Sequence, residues 1–371
     1  MKKVCILQNG MYYGGTDVFV LNLVKGLVRD NYQVMVILSV DNSIVTPRET
    51  ELADAGAVVK KTEGLNKGII YKIKHLIKLY SLLKKERPDV FQSNIDLFNG
   101  PNMLVAWLAC IPIRECHSHN SQQGRELDQG RTLAVRIYQK MMRWMCWKFS
   151  NRRCGCSGIA MDFLYGEKWK SDKYSRVIHN GIDFSDYLKD LDLEKKKREL
   201  DLKRKYNICT VGRMSYQKNP LFIVDVMNEV FKLREDCDFI WIGSGDMEQE
   251  VRNRIDKFDI AERMHLLGNR HDVPELLRSM DMFLLPSYFE GLGIVLIEAQ
   301  AADLPCVTTT TTPPESNCGS LLYIPLEEPV AVWAQKISDV LDGKIELKAD
   351  PKKLNKYSIE CMVKEMEEVF E

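Results

Sequence analysis

The chain has no apolar run long enough to cross a bilayer. Its beginning, Met1-Lys2-Lys3-Val4-Cys5-Ile6-Leu7-Gln8, carries too few consecutive apolar residues for a membrane span or the core of a secretion signal, and reads as a first buried strand. There is no excess of either charge: 52 Lys and Arg balance 52 Asp and Glu, so the broad positive field of a nucleic-acid binder is missing and no nucleic acid is expected as a partner. The eleven cysteines show no framework spacing and sit mostly inside apolar patterns, which points to a reducing compartment rather than a disulfide scaffold. No G-x-G-x-x-G follows the first strand, so a dinucleotide fingerprint is absent, and no internal repeat of short period is visible.

What is present is a regular alternation. With 371 residues, 45% hydrophobic and 28% charged, the chain has the composition of a soluble globular protein with room for two cores. Strand-like runs at Val4–Gln8, Gln33–Leu38, Asp89–Ser93, Arg114–Cys116 and Arg153–Ser157 are separated by amphipathic segments such as Asp17–Val28 and Tyr71–Lys85. The alternation restarts at Asn207–Gly212, Asp238–Gly243, Met264–Leu267, Met282–Pro286, Pro305–Thr308 and Leu321–Ile324. This predicts an α/β protein of two doubly wound parallel sheets, with ligands where the carboxyl ends of both sets of strands face one central cleft. The charged stretch Leu188–Lys205 between them reads as a linker or an exposed helix. Residues 1–180 hold 27 Lys and Arg against 16 Asp and Glu, so the first half is the expected side for an anionic partner, although solvated charge alone gives the same split.

The stretch Glu290-Gly291-Leu292-Gly293 followed by Ile294 to Ala302 reads as a loop entering a helix whose first N–H groups lack internal partners. It places Glu290 and Glu298 roughly 7–8 Å apart, a spacing that fits a sugar nucleotide and equally an ordinary loop with two solvated carboxylates. Gly212-Arg213 and Lys218-Asn219-Pro220 follow the first strand of the second half. Arg213 offers a planar fork and Lys218 a point charge for a diphosphate; solvated surface cations are the plain alternative. In Gly10 to Asp17, the pair Gly14-Gly15 offers amides to a phosphate or sugar, or serves as a turn capped by Thr16 or Asp17. Cys116-His117-Ser118-His119 holds two of only six histidines at a strand end, open to hydrogen bonding with substrate, to a metal or to a structural role. Cys154-Gly155-Cys156 reads as two buried thiols or as a redox or metal fragment. Residues 136–153 mix Arg and Lys with Trp and Met at helical spacing, either packing on the sheet or lying in a membrane interface.

In this order, Gly14-Gly15, His117-Ser118-His119-Asn120, Val177-Ile178-His179-Asn180-Gly181-Ile182-Asp183, Gly212-Arg213 with Lys218-Asn219, Gly268-Asn269-Arg270 and Glu290 to Glu298 resemble the retaining glycosyltransferases of family four, which have the GT-B fold. Within that family the pattern looks most like the transferases of capsular and extracellular polysaccharide. The resemblance implies an acceptor-binding Rossmann-like domain at 1–183, a nucleotide-sugar-binding one at 184–353, and a last helix at 354–371 that returns to the first. It implies that Glu298 holds ribose hydroxyls, Glu290 the transferred sugar, and Gly291, Leu292 and Gly293 the donor through their backbone. Arg213 and Lys218, beside Gly212, would neutralise the leaving diphosphate. His117 would contact the donor sugar near the reacting carbon, Arg270 would meet the base through its main chain, and Gly14 and Gly15 would line the donor. No cofactor and no metal are expected.

The function so implied is transfer from a nucleoside-diphosphate sugar, expected to be UDP-linked, to a growing, lipid-linked glycan, in the cytoplasm at the inner face of the membrane. A UDP-sugar 2-epimerase-like isomerase of the same fold and a non-catalytic GT-B subunit are the competing readings. Three departures from the family pattern stand out: Asp17 where Glu is frequent, Asp303 where Gly is common, and the threonine run Thr308 to Thr312.

Overall fold

The computed structural model describes residues 1–12, 14–120 and 133–371. The chain forms two compact units, one made of Met1–Ile182 with Tyr357–Glu371 and the other of Asp183–Lys356. Each is built on one fully parallel sheet.

In the first unit the strands are β1 (Lys3–Gln8), β2 (Gln33–Leu38), β3 (Val58–Lys61), β4 (Val90–Ser93), β5 (Ile113–Ser118), β6 (Arg152–Gly155) and β7 (Ser175–Val177), in the order β3-β2-β1-β4-β5-β6-β7. The central strand shows why the sheet must be covered on both faces. Val4 and Ile6 of β1 enter one apolar cluster, with the Gly15–Arg29 and Ile359–Val369 helices. Cys5 and Leu7 enter another, with the helices Ile69–Glu86, Asn99–Leu108 and Leu133–Phe149. Parallel strands buried on both sides read as continuous apolar runs. The two strands absent from the sequence reading, β3 and β7, are sheet edges; β3 is Val58-Val59-Lys60-Lys61, with alternate residues exposed, a charged edge that offers no apolar run to detect.

The second unit contains β8 (Tyr206–Val211), β9 (Cys237–Ile242), β10 (Met264–Leu266), β11 (Met282–Leu285), β12 (Cys306–Thr309) and β13 (Leu321–Ile324), in the order β10-β9-β8-β11-β12-β13. Its apolar cluster joins Ile208, Phe239, Trp241, Met282 and Leu284 to the Pro220–Leu233 and Val330–Leu341 helices. The charged stretch before β8 is not a loose tether. It forms a helix at Leu193–Glu199 capped by Asp192, and Lys196 of that helix bridges Asp272 at 2.6 Å and Glu275 at 2.9 Å.

The last helix is seated on the first by close packing. A Cβ placed on Gly26 would lie 2.1 Å from Cγ2 of Val363, and Asn22 Nδ2 donates to the Gly181 carbonyl at 2.8 Å, tying the first helix also to the segment after β7. Gly26→Ala gains helix propensity of about 1 kcal/mol but overpacks a stiff β-branched neighbour at about 1–3 kcal/mol, so a net loss is expected. Thermal unfolding checks this: Gly26→Ala should melt below wild type, and adding Val363→Ala should cost less than its separate effect predicts.

Candidate active site

Both sheets reverse their order at one place, between β1 and β4 and between β8 and β11, and ligands of open parallel sheets bind outside the carboxyl ends at such points. In the second unit the loops leaving β8 and β11 are tied together there. Lys218 Nζ meets Glu290 Oε1 at 2.6 Å, with the Glu290 side chain only 6% exposed and that of Lys218 17%. Gln217 Nε2 donates to the Phe289 carbonyl at 3.0 Å and to Glu290 Oε2 at 3.4 Å, while the Tyr288 N–H donates to the Gln217 carbonyl at 2.9 Å. The Tyr216 and Tyr288 rings stack with centroids 4.8 Å apart. Beyond Lys218, Asn219 takes the left-handed conformation (φ 53°) and Pro220 opens the next helix, so the cationic loop is short and sharply ended.

Local chemistry holds these loops from behind. Any side chain at Gly243 or Gly245 would place a Cβ 2.3 Å from the carbonyl oxygen of Gly212 or Met214, so only glycines let the β8 and β9 loops approach this closely. The Gly212 carbonyl also accepts from Trp241 Nε1 at 3.1 Å. On the other side, Thr308 Oγ1 donates to the Leu285 carbonyl at 2.8 Å, Thr311 Oγ1 to that of Ser287 at 3.0 Å, and Ser316 Oγ to that of Leu292. The threonine run is therefore a clamp on the backbone that carries Glu290. Gly293 caps the Ile294–Ala301 helix with φ 72°, a conformation that favours glycine, and Glu298 lies in that helix's second turn. Burial raises the Tyr187 phenol well above its ordinary range, and the charge of Glu298 adds to the effect. Asp303, at φ 60°, occupies a left-handed position that Asp tolerates, which accounts for its standing where glycine is common.

Two cations behave differently. Arg213 is exposed, and among the described residues no acidic side chain pairs with it. Arg270 is committed: its Nε and Nη2 bond Asp272 at 2.8 Å each, and with Lys196 they hold that carboxyl well below the usual carboxylate range. The loop after β10 thus has its main chain to offer.

In the first unit, Gly14 is already engaged, since its N–H donates to Asp17 Oδ2 at 2.9 Å while Gln8 Nε2 donates to Asp17 Oδ1 at 2.9 Å. Gly15 opens the helix. His117 lies within β5 with no exposed surface, 3.1 Å from Glu115 and beside the rings of Phe19 and His119. His119 is the first residue past that strand, and its Nε2 meets Asn94 Oδ1 at 2.9 Å. Asn120 Nδ2 donates to Asp96 at 2.5 Å. Gln8, Asn94 and Asp96, which sequence reasoning did not single out, thus share the polar carboxyl edge of β1, β4 and β5 with His119. The available signal was the switch from apolar to polar at Ser93-Asn94-Ile95-Asp96.

A family model described as Glycosyltransferase Family 4 matches residues 13–186, and one described as Glycosyl transferases group 1 matches residues 205–343. The chain joins a family-four glycosyltransferase domain to a group-1 glycosyltransferase domain. Its similarity to EpsF of Bacillus subtilis is 25% identity over 343 residues, 91% of this chain and 87% of that one. The Escherichia coli UDP-Gal:alpha-D-GlcNAc-diphosphoundecaprenol alpha-1,3-galactosyltransferase is 28% identical over 258 residues, 68% of this chain and 65% of that enzyme. The Staphylococcus aureus capsular polysaccharide biosynthesis glycosyltransferase CapH is 24% identical over 308 residues, 81% and 82% of the two chains. Among solved structures, Anabaena HepE in complex with UDP-glucose superposes with a TM-score of 0.79 over 99% of each chain at 16% identity, a likeness of fold. That fold is GT-B.

The burial of the Lys218–Glu290 pair carries a consequence for stability. Removing one partner leaves the other poorly solvated, so Lys218→Met and Glu290→Gln should each cost about 1–3 kcal/mol, less than a fully enclosed pair because Lys218 keeps some water. In thermal unfolding, the double variant Lys218→Met/Glu290→Gln should melt close to wild type.

Proposed function

We propose that this chain transfers a sugar, with retention of anomeric configuration, from a UDP-sugar to a lipid-linked glycan in the assembly of a capsular or extracellular polysaccharide. The observation that carries the reading is the Lys218–Glu290 pair on the two loops flanking the order reversal of the second sheet, with exposed Arg213 on the same loop as Lys218. The relative acting on a diphosphoundecaprenol-linked sugar supports the donor and acceptor classes, and CapH supports the biosynthetic setting.

In this proposal the acceptor hydroxyl oxygen bonds to the anomeric carbon on the face from which the phosphate oxygen departs. The bond from that carbon to the phosphate breaks, and the hydroxyl proton passes to the leaving phosphate. Arg213 and Lys218 stabilise the charge that develops on the diphosphate, which is the largest demand of such a step and one that needs no metal ion. Glu290, released from Lys218 as the diphosphate arrives, accepts from hydroxyls of the transferred sugar. Glu298 receives the ribose hydroxyls, and the backbone of Gly291 to Gly293 lines the donor. The histidine role passes to His119, since His117 is enclosed.

Contact with a membrane belongs to the same reading. The Leu133–Phe149 helix buries Gln139, Met142 and Cys146, yet turns Leu133, Ile137, Met141 and Trp144 outward, and its charges, Arg136, Lys140, Arg143 and Lys148, are all positive. The Ile69–Glu86 helix is similar, with Ile69, Ile70, Ile73 and Ile77 exposed among five lysines and one acidic residue, Glu86, at its end, where it pairs with Lys3. Exposed apolar side chains interleaved with cations suit an anionic lipid surface. Trp147 is not part of that face, because Arg153 lies over its ring at 4.3 Å. Among the described residues, no helix is long and apolar enough to cross a membrane.

Two measurements test the proposal. Release of UDP from a turned-over donor should fall at least about 100-fold in Lys218→Met and in Glu290→Gln and should stay low in the stable double variant; full activity in the double variant would sink the site assignment. Replacing Ile137, Met141 and Trp144 together by Ser should weaken sedimentation with anionic vesicles while leaving donor turnover in solution intact, and unchanged sedimentation would remove the membrane contact.

A further inference from the structure

Beneath the carboxyl edge of the first sheet lies a second group of chemically capable side chains that the transfer reaction does not use. Glu115 and His117 project from β5 and Cys154 from β6, where His117 and Cys154 are register partners. All three are fully enclosed under Phe19 of the Gly15–Arg29 helix, and one potential ligand atom from each lies within 4.8 Å of the others. Both oxygens of Glu115 and both ring nitrogens of His117 are without a hydrogen-bond partner of acceptable geometry, although Nδ1 stands 3.1 Å from the carboxylate. The Cys154 thiol facing Glu115 is only a weak donor. Four orphaned polar atoms on two adjacent buried residues are a rare and costly arrangement in a folded core, and a bound ion is one of the few things that resolves it.

We propose that Glu115, His117 and Cys154 bind one divalent ion, with Zn²⁺ as the fitting species. The mixed oxygen, nitrogen and sulfur set selects a borderline ion over Mg²⁺ or Ca²⁺, which take oxygen ligands. Tetrahedral zinc sets its ligand atoms about 3.3–3.7 Å apart, so the Glu115–His117 spacing is near that already and Cys154 has to close by about 1 Å or less. Charge balance favours the assignment. A divalent ion with one carboxylate, one thiolate and a neutral imidazole has no net charge, the one condition under which ionised groups sit at low cost in an apolar core. Binding releases the proton of Cys154 Sγ and that of the Glu115 carboxyl, so that both coordinate as anions. The ion would join β5 to β6 two residues before His119 and so fix the strand end that carries it. It stands apart from the donor chemistry and does not rest on it.

The test is metal analysis of protein purified without a polyhistidine tag in chelator-treated buffer. Wild type should retain about one zinc per chain, Cys154→Ala at least about tenfold less, and Cys116→Ala, whose thiol faces the opposite cluster, the wild-type amount. Should Cys154→Ala fail to fold, wild type alone decides: growth on cobalt should give an intense thiolate-to-metal absorption band, and EDTA should lower the melting temperature. Zinc content unchanged in Cys154→Ala overturns the proposal, as does wild type with only traces of zinc and no thiolate band with cobalt.

Discussion

The ion pair between Lys218 and Glu290 spans the two loops at the reversal of the second sheet, and the proposed reaction turns on it. In water such a pair is weak; here Glu290 is nearly enclosed, so its charge is tolerable only while a cation or an equivalent set of donors stays beside it. Desolvation offsets much of the attraction, and the pair therefore does more to hold two loops in register than to stabilise the fold. In the proposed reaction an arriving diphosphate, with two charges or more, is a better partner for Lys218 than a single carboxylate. It would draw the lysine away and leave Glu290 facing sugar hydroxyls. The surrounding devices make sense as means of keeping these loops within reach of one another: Gly243 and Gly245 for close approach, Gln217 for the bridge, and Thr308 and Thr311 for the carbonyls.

Much of the architecture was legible because buried parallel strands carry apolar residues on both faces. The four inner strands of the second unit read as runs for this reason, and its edge strands β10 and β13 are still largely apolar, whereas β3 and β7 are edges half or more made of charged or polar residues and did not. The site was legible in its loops and less so in its register. Read from the sequence, the fifth strand stops at Cys116, which makes His117 the first residue beyond it. The strand continues to Ser118, so His119 takes that place and His117 sinks into the core. Strand length depends on pairing with β4 and β6, and no local pattern supplies it.

The departures from the family pattern turned out to be local solutions to backbone demands. Asp17 reaches back to the Gly14 amide, Asp303 accepts a left-handed φ, and the threonines satisfy carbonyls of the segment that leads to Glu290. The threonines look anomalous in a sequence because the carbonyls they bond are more than twenty positions away, as Ser287 is from Thr311.

In the proposed reaction Lys218 and Glu290 trade each other for ligand, and a crystal structure with UDP bound decides whether they do. Lys218 Nζ should lie on the diphosphate with Arg213 beside it, and the lysine should have parted from Glu290. UDP bound elsewhere, or bound with the Lys218–Glu290 contact intact and neither cation on phosphate, would contradict it.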